Sequence, residues 1–134
     1  MKFLSPKIHG ILDYLVIIVL FSAPNLLGFT GNAASVSYIL GAAYVLLALT
    51  TAYPLSLAKI IPFTVHGTLE LILSPFLVAM PWLAGFSGQP AAKTFFIASG
   101  VALFVVWMVT DYKAADIAYG KRGGRLSTGA PRTA

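Results

Sequence analysis

Two apolar segments of the chain begin with the same histidine–glycine pattern, and this repetition constrains the fold more than any other feature. Residues 9–13 are His-Gly-Ile-Leu-Asp, and residues 66–70, 57 positions later, are His-Gly-Thr-Leu-Glu. The same offset pairs Gly-Phe-Thr-Gly at 28–31 with Gly-Phe-Ser-Gly at 85–88. Over residues 9–34 the match amounts to 10 identities in 26 aligned positions. We infer a duplicated structural unit, because such a match at a fixed offset is typical of internal repeats.

The hydrophobic pattern predicts a membrane protein. Hydrophobic residues make up 58% of the 134 positions and charged residues only 10%, whereas soluble domains average roughly 25% charged residues. The apolar residues fall into four stretches, each long enough to cross a hydrocarbon core of ~30 Å as a helix rising ~1.5 Å per residue. These stretches cover residues 8–28, 35–53, 61–84 and 94–110. We therefore predict an all-α fold, a four-transmembrane-helix bundle.

The second helix of each predicted unit also repeats, at an offset of 59 residues. The paired positions are Gly41 with Gly100, Thr51 with Thr110, and Tyr53 with Tyr112. We therefore expect two tandem helical hairpins of the same orientation, related by a pseudo-two-fold axis along the membrane normal. The first repeat is predicted over residues 1–57, the second over 58–117, and a basic cytoplasmic tail without fixed structure over 118–134.

The net charge of +5 follows the predicted membrane topology. Eight of the nine Lys and Arg residues fall on one side of a four-span arrangement, and only Lys93 falls on the other. The positive-inside rule then places both termini in the cytoplasm. This distribution does not indicate nucleic-acid binding. Without cysteine, the chain has neither disulfides nor thiolate metal ligands.

Each repeat carries a histidine and an acid within its first helix. His9 and Asp13 are four residues apart, as are His66 and Glu70, so each pair shares one helix face. An unpaired carboxylate in a membrane costs roughly 2.5–3.5 kcal/mol on insertion scales, and the histidine is the obvious partner. The two-fold repeat predicts that both histidines lie at the same depth and face each other.

Two ligands suit such a site, and the sequence leaves both open. One is a b-type haem or another tetrapyrrole with the two histidines as axial ligands, the acids orienting the imidazoles and the glycines leaving room for a flat macrocycle. The other is a metal ion, such as zinc or iron, bound by two imidazoles and two carboxylates. The predicted cofactor-binding residues are His9, His66, Asp13, Glu70, Gly10 and Gly67, with His9 and His66 as the metal ligands.

These patterns favour a small non-enzymatic integral membrane protein that serves electron transfer or acts as an accessory subunit of a membrane complex. An alternative is a small proton-coupled transporter that uses Asp13 and Glu70, and a third is a purely structural subunit. The expected partners are the lipid bilayer and either a second copy or a larger complex. Tyr53 and Tyr112 are interpreted as anchors at the membrane interface.

The outer ends of the first and third helices resemble a known membrane repeat. Residues 23–29 are Ala-Pro-Asn-Leu-Leu-Gly-Phe, and residues 80–88 are Met-Pro-Trp-Leu-Ala-Gly-Phe-Ser-Gly. They resemble the SPW repeat, a two-helix membrane unit with a Ser-Pro-Trp motif, although neither copy has the serine and only the second has the tryptophan. The resemblance covers residues 9–53 and 66–112. It implies a small bacterial-type membrane protein of paired helices, and hence a bacterial-type plasma (inner) membrane, and it implies no activity.

Overall fold

The computed structural model describes residues 2–120 as an assembly of helices, with no strand among these residues. Four long helices are followed by a short helix and a final π-helical turn. Their bounds are α1 (Pro6–Leu27), α2 (Gly31–Thr50), α3 (Phe63–Leu83), α4 (Pro90–Val109), α5 (Tyr112–Ala115) and the π-helical turn (Asp116–Gly120). The basic tail predicted from residue 118 lies outside the described residues from residue 121 onward.

The four long helices are those of a membrane protein by length and composition. Each has 20 to 22 residues and an 18-residue window of mean hydropathy between 1.5 and 1.9, so each is long and apolar enough to cross a membrane. The predicted all-α, four-helix architecture is therefore confirmed. The duplication, the shared orientation of the two hairpins and the unit boundaries remain predictions.

Local sequence signals account for the helix ends. Ser5 caps α1 by accepting a hydrogen bond from the backbone N–H of Ile8 at 3.4 Å, and proline follows at the first helical position, where its missing N–H costs nothing. At the C-terminal end of α1, Gly28 has a φ of 71°, a left-handed conformation that glycine adopts without strain and that ends helices. Helices α2 and α4 begin four residues before the apolar runs at 35 and 94 that predicted them. The apolar runs start late because the first turns of both helices contain small and polar residues.

Small residues bring the helices of each hairpin together. Gly41 and Gly100 lie against the first helices of their own hairpins, and a Cβ atom on Gly100 would meet the backbone oxygen of Ser74. Two serines strengthen the same contacts: the Ser37 hydroxyl donates to the carbonyl of Leu20 at 2.7 Å, and that of Ser74 donates to Gly100 at 2.9 Å. This is the packing that small residues permit between membrane helices.

Two short parallel backbone contacts join the hairpins at the end of the bundle that holds the chain termini. Leu4, just before α1, pairs with Thr110 after α4, and Ile61, just before α3, pairs with Thr51 after α2. The Asp111 N–H donates to the Leu4 carbonyl at 3.1 Å. These contacts bring the end of each second helix to the start of the first helix of the other hairpin.

A carboxylate after α5 caps the start of α3. Asp116 accepts hydrogen bonds from the backbone N–H groups of Phe63 at 2.6 Å and Thr64 at 3.2 Å, and from the Thr64 hydroxyl at 2.5 Å. Proline at position 62 has no side chain that could cap the helix. The first N–H groups of α3 therefore donate to a carboxylate that lies more than fifty residues later in the sequence. The contact holds α5 and the π-helical turn over the end of the bundle.

Candidate metal centre

Two histidines and two acids meet in the interior of the bundle, one to two turns from the start of α1 and of α3. His9 and Asp13 come from α1, and His66 and Glu70 come from α3. Both histidines are 0% exposed, and the acids are 3% and 1% exposed. One ligand atom from each residue can be chosen so that all four lie within 4.8 Å of one another. The cluster could therefore hold a metal ion.

Each acid contacts both histidines. On the same helix, His9 Nε2 lies 3.3 Å from Asp13 Oδ1, and His66 Nε2 lies 3.4 Å from Glu70 Oε1. Across the bundle, His9 Nε2 lies 3.4 Å from the same Glu70 oxygen, and His66 Nε2 lies 3.6 Å from Asp13 Oδ2. The predicted pairing of each histidine with its own acid is thus present, and the fold adds the two crossed contacts.

Threonine hydroxyls fix which nitrogen of each imidazole faces the acids. His9 Nδ1 lies 2.9 Å from the Thr110 hydroxyl, and His66 Nδ1 lies 2.9 Å from that of Thr51. Each hydroxyl already donates its proton, at 2.6 Å, to the backbone carbonyl four residues earlier. It can therefore only accept from the imidazole, so Nδ1 carries the hydrogen. In the neutral imidazole this leaves the Nε2 atoms, which face the carboxylates, free to act as ligands.

Two tyrosines lie behind the carboxylates. The Tyr112 hydroxyl donates to Glu70 Oε2 at 2.5 Å. Burial, together with the Glu70 charge, raises the pKa of Tyr112, so its hydroxyl stays protonated and remains a donor. Burial likewise raises the pKa of Tyr53. The prediction that these two tyrosines anchor the chain at the membrane interface is wrong, because Tyr53 is fully buried and Tyr112 is only 6% exposed.

The glycines beside the histidines face these tyrosines. A Cβ atom on Gly10 would collide with the ring of Tyr53, and one on Gly67 would come within 2.7 Å of the ring of Tyr112. The space that the sequence analysis assigned to a flat macrocycle is therefore filled by tyrosine rings. Phe63, also fully buried, packs between them, with its ring centroid 5.1 Å from that of His9.

Four residues of this centre were not recognised from the sequence as parts of a site. They are the two threonines that hold the imidazoles and the two tyrosines behind the acids: Thr51, Thr110, Tyr53 and Tyr112. The signal was present in the 59-residue offset, which matches both threonines and both tyrosines. This match did not identify site residues, because a pattern along the sequence does not show that the ends of α2 and α4 lie next to the starts of α3 and α1.

The fold and the cluster together define a class of protein: an all-helical, membrane-type bundle with a buried His–Asp–His–Glu group that could bind a metal ion. Comparison with protein-family models, curated proteins and solved structures finds no match. The resemblance to the SPW repeat therefore remains a prediction.

Proposed function

We propose that the chain is a small integral membrane protein that binds one divalent transition-metal ion through His9, Asp13, His66 and Glu70. Zinc and iron both accept this mixture of nitrogen and oxygen ligands. Bound iron would suit an electron-transfer subunit, whereas zinc, which has no redox chemistry, would suit an accessory subunit of a membrane complex.

The spacing of the ligand atoms carries this proposal. Zinc–nitrogen and zinc–oxygen bonds of about 2.0–2.2 Å in a tetrahedron put neighbouring ligand atoms roughly 3.3–3.6 Å apart. Glu70 Oε1 lies 3.4 Å from both Nε2 atoms, and Asp13 places Oδ1 3.3 Å from that of His9 and Oδ2 3.6 Å from that of His66. Charge-assisted hydrogen bonds are shorter, about 2.7–2.9 Å. Accordingly, neither Nε2 atom has a hydrogen-bond partner among the described residues.

Charge balance supports the same conclusion. Two carboxylates in an apolar interior carry two negative charges that need compensation. No Lys or Arg side chain among the described residues forms a salt bridge with Asp13 or Glu70. A divalent cation bound by two neutral imidazoles and two carboxylates would make the site neutral overall.

A metal ion fits the surroundings of the histidines better than a tetrapyrrole does. The ring of a bis-histidine haem lies across the axis that joins its two imidazole ligands. Around this axis stand the Asp13 and Glu70 carboxylates, within 3.6 Å of the Nε2 atoms. The rings over Gly10 and Gly67 take up the neighbouring space.

The membrane arrangement belongs to the same proposal. We infer that the site lies near the cytoplasmic face of the membrane with both termini in the cytoplasm, since the basic residues of the sequence cluster on that side. The proposal that this is a bacterial-type plasma membrane rests on the resemblance to the SPW repeat. The equivalent threonine–histidine contacts of the two hairpins support an origin by tandem duplication. They also favour a pseudo-two-fold axis that passes through the site.

Metal analysis of protein purified in mild detergent tests the function. We expect about one zinc or iron ion per chain, with loss of the ion in the His9→Ala, His66→Ala double variant. Asn25→Ala, at the opposite end of α1, is the control and should retain the metal. Substitution with Co²⁺ should give the visible absorption of a four-coordinate site, and this absorption should vanish in the double variant.

The competing functions predict different results. A proton-coupled transporter would bind no stoichiometric metal, and Asp13→Asn with Glu70→Gln would abolish pH-dependent flux in vesicles. A structural His–acid cluster would show neither metal nor flux. A Soret band that depends on both histidines would establish haem and overturn the metal proposal.

A further inference from the structure

An apolar cavity of about 440 Å³ lies next to the candidate metal centre. Asp13 and Glu70 form part of its wall, and the remainder comes from all four long helices. Along α4 it extends from Val106, near the centre, to Phe95, a distance of about 16 Å at 1.5 Å per residue. It is thus elongated and has the buried acids at one end, and its volume lies within the range of about 300–1,000 Å³ found for ligand sites.

The cavity opens toward the lipid-facing side of the bundle. Three of its lining residues on α1, Leu15, Val16 and Val19, are 37–51% exposed. On α4 the facing wall includes Ala98 and Ala102, which are small and also exposed. A molecule dissolved in the bilayer could enter here without crossing water.

A single tyrosine gives the deep part of the cavity a polar group. Tyr44 of α2 lines the cavity together with Asp13 and Glu70, and only 4% of it is exposed. Its hydroxyl takes part in none of the hydrogen bonds among the described residues, and it is not one of their fully buried polar atoms, so it faces the open space of the cavity. A hydroxyl with apolar surroundings favours a ligand that supplies a hydrogen-bond partner. The position that matches Tyr44 at the 59-residue offset is Leu103, so only one half of the bundle supplies this donor.

We propose that the cavity binds an uncharged long-chain lipid with a hydroxyl or carbonyl oxygen at one end. The chain lies along α4, and the oxygen accepts a hydrogen bond from Tyr44 beside the two acids. Binding of the lipid by the cavity walls and Tyr44 does not require the metal ion. The placement of the lipid oxygen next to a metal ion rests on the proposed function.

The lining determines the chemistry of this ligand. Apart from Asp13, Glu70, Tyr44 and Ser99, every lining residue is apolar, so a hydrocarbon chain matches the walls. Beside a metal centre that is neutral overall, a charged headgroup would remain uncompensated in an apolar interior, which is costly. An acyl-derived and an isoprenoid chain share the required chemistry.

Photolabelling of the protein in phosphatidylcholine nanodiscs tests the proposal. The probe is hexadecanol with a diazirine near the end distant from the hydroxyl, and its counterpart is the same alkane without the hydroxyl. We expect the alcohol to label Phe95 and its cavity neighbours about five- to tenfold more than the alkane does, as one hydrogen bond would give. The Tyr44→Phe variant should lose this preference.

Filling the cavity provides the second test. Ala102→Trp should reduce labelling inside the cavity at least tenfold, and Ala98→Trp provides an independent filled variant. The control is Ala43→Trp, at the position matching Ala102 on the exposed surface of α2, which should leave the labelling unchanged. Equal labelling in filled and control variants, or labelling spread over outward residues such as Ile39, would overturn the proposal.

Metal content measured on the same samples separates this proposal from the proposed function. Cavity-filled variants that retain metal but lose labelling support the lipid site and show that they are folded. Labelling that depends on Tyr44 in a protein without metal would support the lipid site and reject the metal centre. A full complement of metal with no preference for the alcohol would reject the lipid site alone.

Discussion

At the scale of single residues, the properties of the centre come from the groups that hold the histidines and acids. The imidazoles could point in several directions from their helices. Thr51 and Thr110 fix them by accepting the Nδ1 hydrogens, and Tyr112 holds one oxygen of Glu70. Such supporting hydrogen bonds orient metal ligands and set the tautomer of histidine.

Removing the threonine hydroxyls should weaken metal binding while leaving all four ligands present. For Thr51→Val with Thr110→Val we expect the affinity for zinc to fall about 10- to 100-fold, since the imidazoles lose the acceptors that orient them. Competition with a chromogenic chelator measures this. Thr68→Val, at an exposed position, is the control, and serine at positions 51 and 110 should restore binding. An unchanged affinity in the double valine variant would contradict the assigned role.

The buried tyrosine predicts a loss of stability in alkali. Burial raises the pKa of Tyr112 above its usual value of 10.0, so above about pH 10 the unfolded chain releases a proton that the folded protein retains. The free energy of unfolding then falls with rising pH, by at most about 1.4 kcal/mol per pH unit for this group. Denaturant unfolding in detergent at pH 8 and 11 should show a smaller loss for Tyr112→Phe than for the parent. A Tyr38→Phe variant should behave like the parent, and equal losses in all three proteins would be evidence against the assignment.

At the scale of helices, the apolar runs and the proline and glycine signals predicted four helices of the right position. The elements come closest to one another at glycines, and only the tertiary structure shows which residues lie against them. Gly10 and Gly67, predicted to make room for a cofactor, instead admit tyrosine rings from the segments that follow α2 and α4.

Adding a methyl group at these glycines should destabilise the bundle. For Gly10→Ala or Gly67→Ala the overpacking against a tyrosine ring should cost about 1–3 kcal/mol, which outweighs the gain of about 1 kcal/mol in helix propensity. Thermal unfolding in detergent should show a lower Tm for both variants. Gly88→Ala, where a Cβ atom meets nothing within 4 Å, should leave Tm nearly unchanged. A higher Tm for both site variants would show that the rings move aside freely.

At the scale of the whole molecule, the centre lies between the two hairpins. Each hairpin provides one histidine and one acid, so a bound ion would link the hairpins in addition to the backbone contacts at Leu4 and Ile61. Metal binding to a site assembled from separate elements adds its free energy to the folded arrangement.

Removal of the metal should therefore loosen the contact between the hairpins. Because the chain has no cysteine, spin labels can be introduced at Phe3→Cys and Ile60→Cys, two exposed positions near the centre. We expect a chelator to broaden the distance distribution between them, as measured by pulsed electron spin resonance. A pair at Leu26→Cys and Leu83→Cys, at the opposite end of the bundle, should change less. Identical distributions with and without chelator would show that the ion does not hold the hairpins together.

The sequence by itself determined the class of fold and the four polar residues of the centre. Hydrophobic length defines membrane-type helices, and a spacing of four residues puts each histidine and its acid on one face of α1 or α3. These are properties of a single helix and need no knowledge of its neighbours.

Only the tertiary structure decided how the two pairs combine. It placed each acid in contact with both histidines and oriented the imidazoles by hydrogen bonds to Thr51 and Thr110. It also buried Tyr53 and Tyr112 against the glycines. It also left the cavity beside Tyr44. These contacts join residues from different helices, and their distances depend on how the helices pack, which a pattern along one chain does not specify.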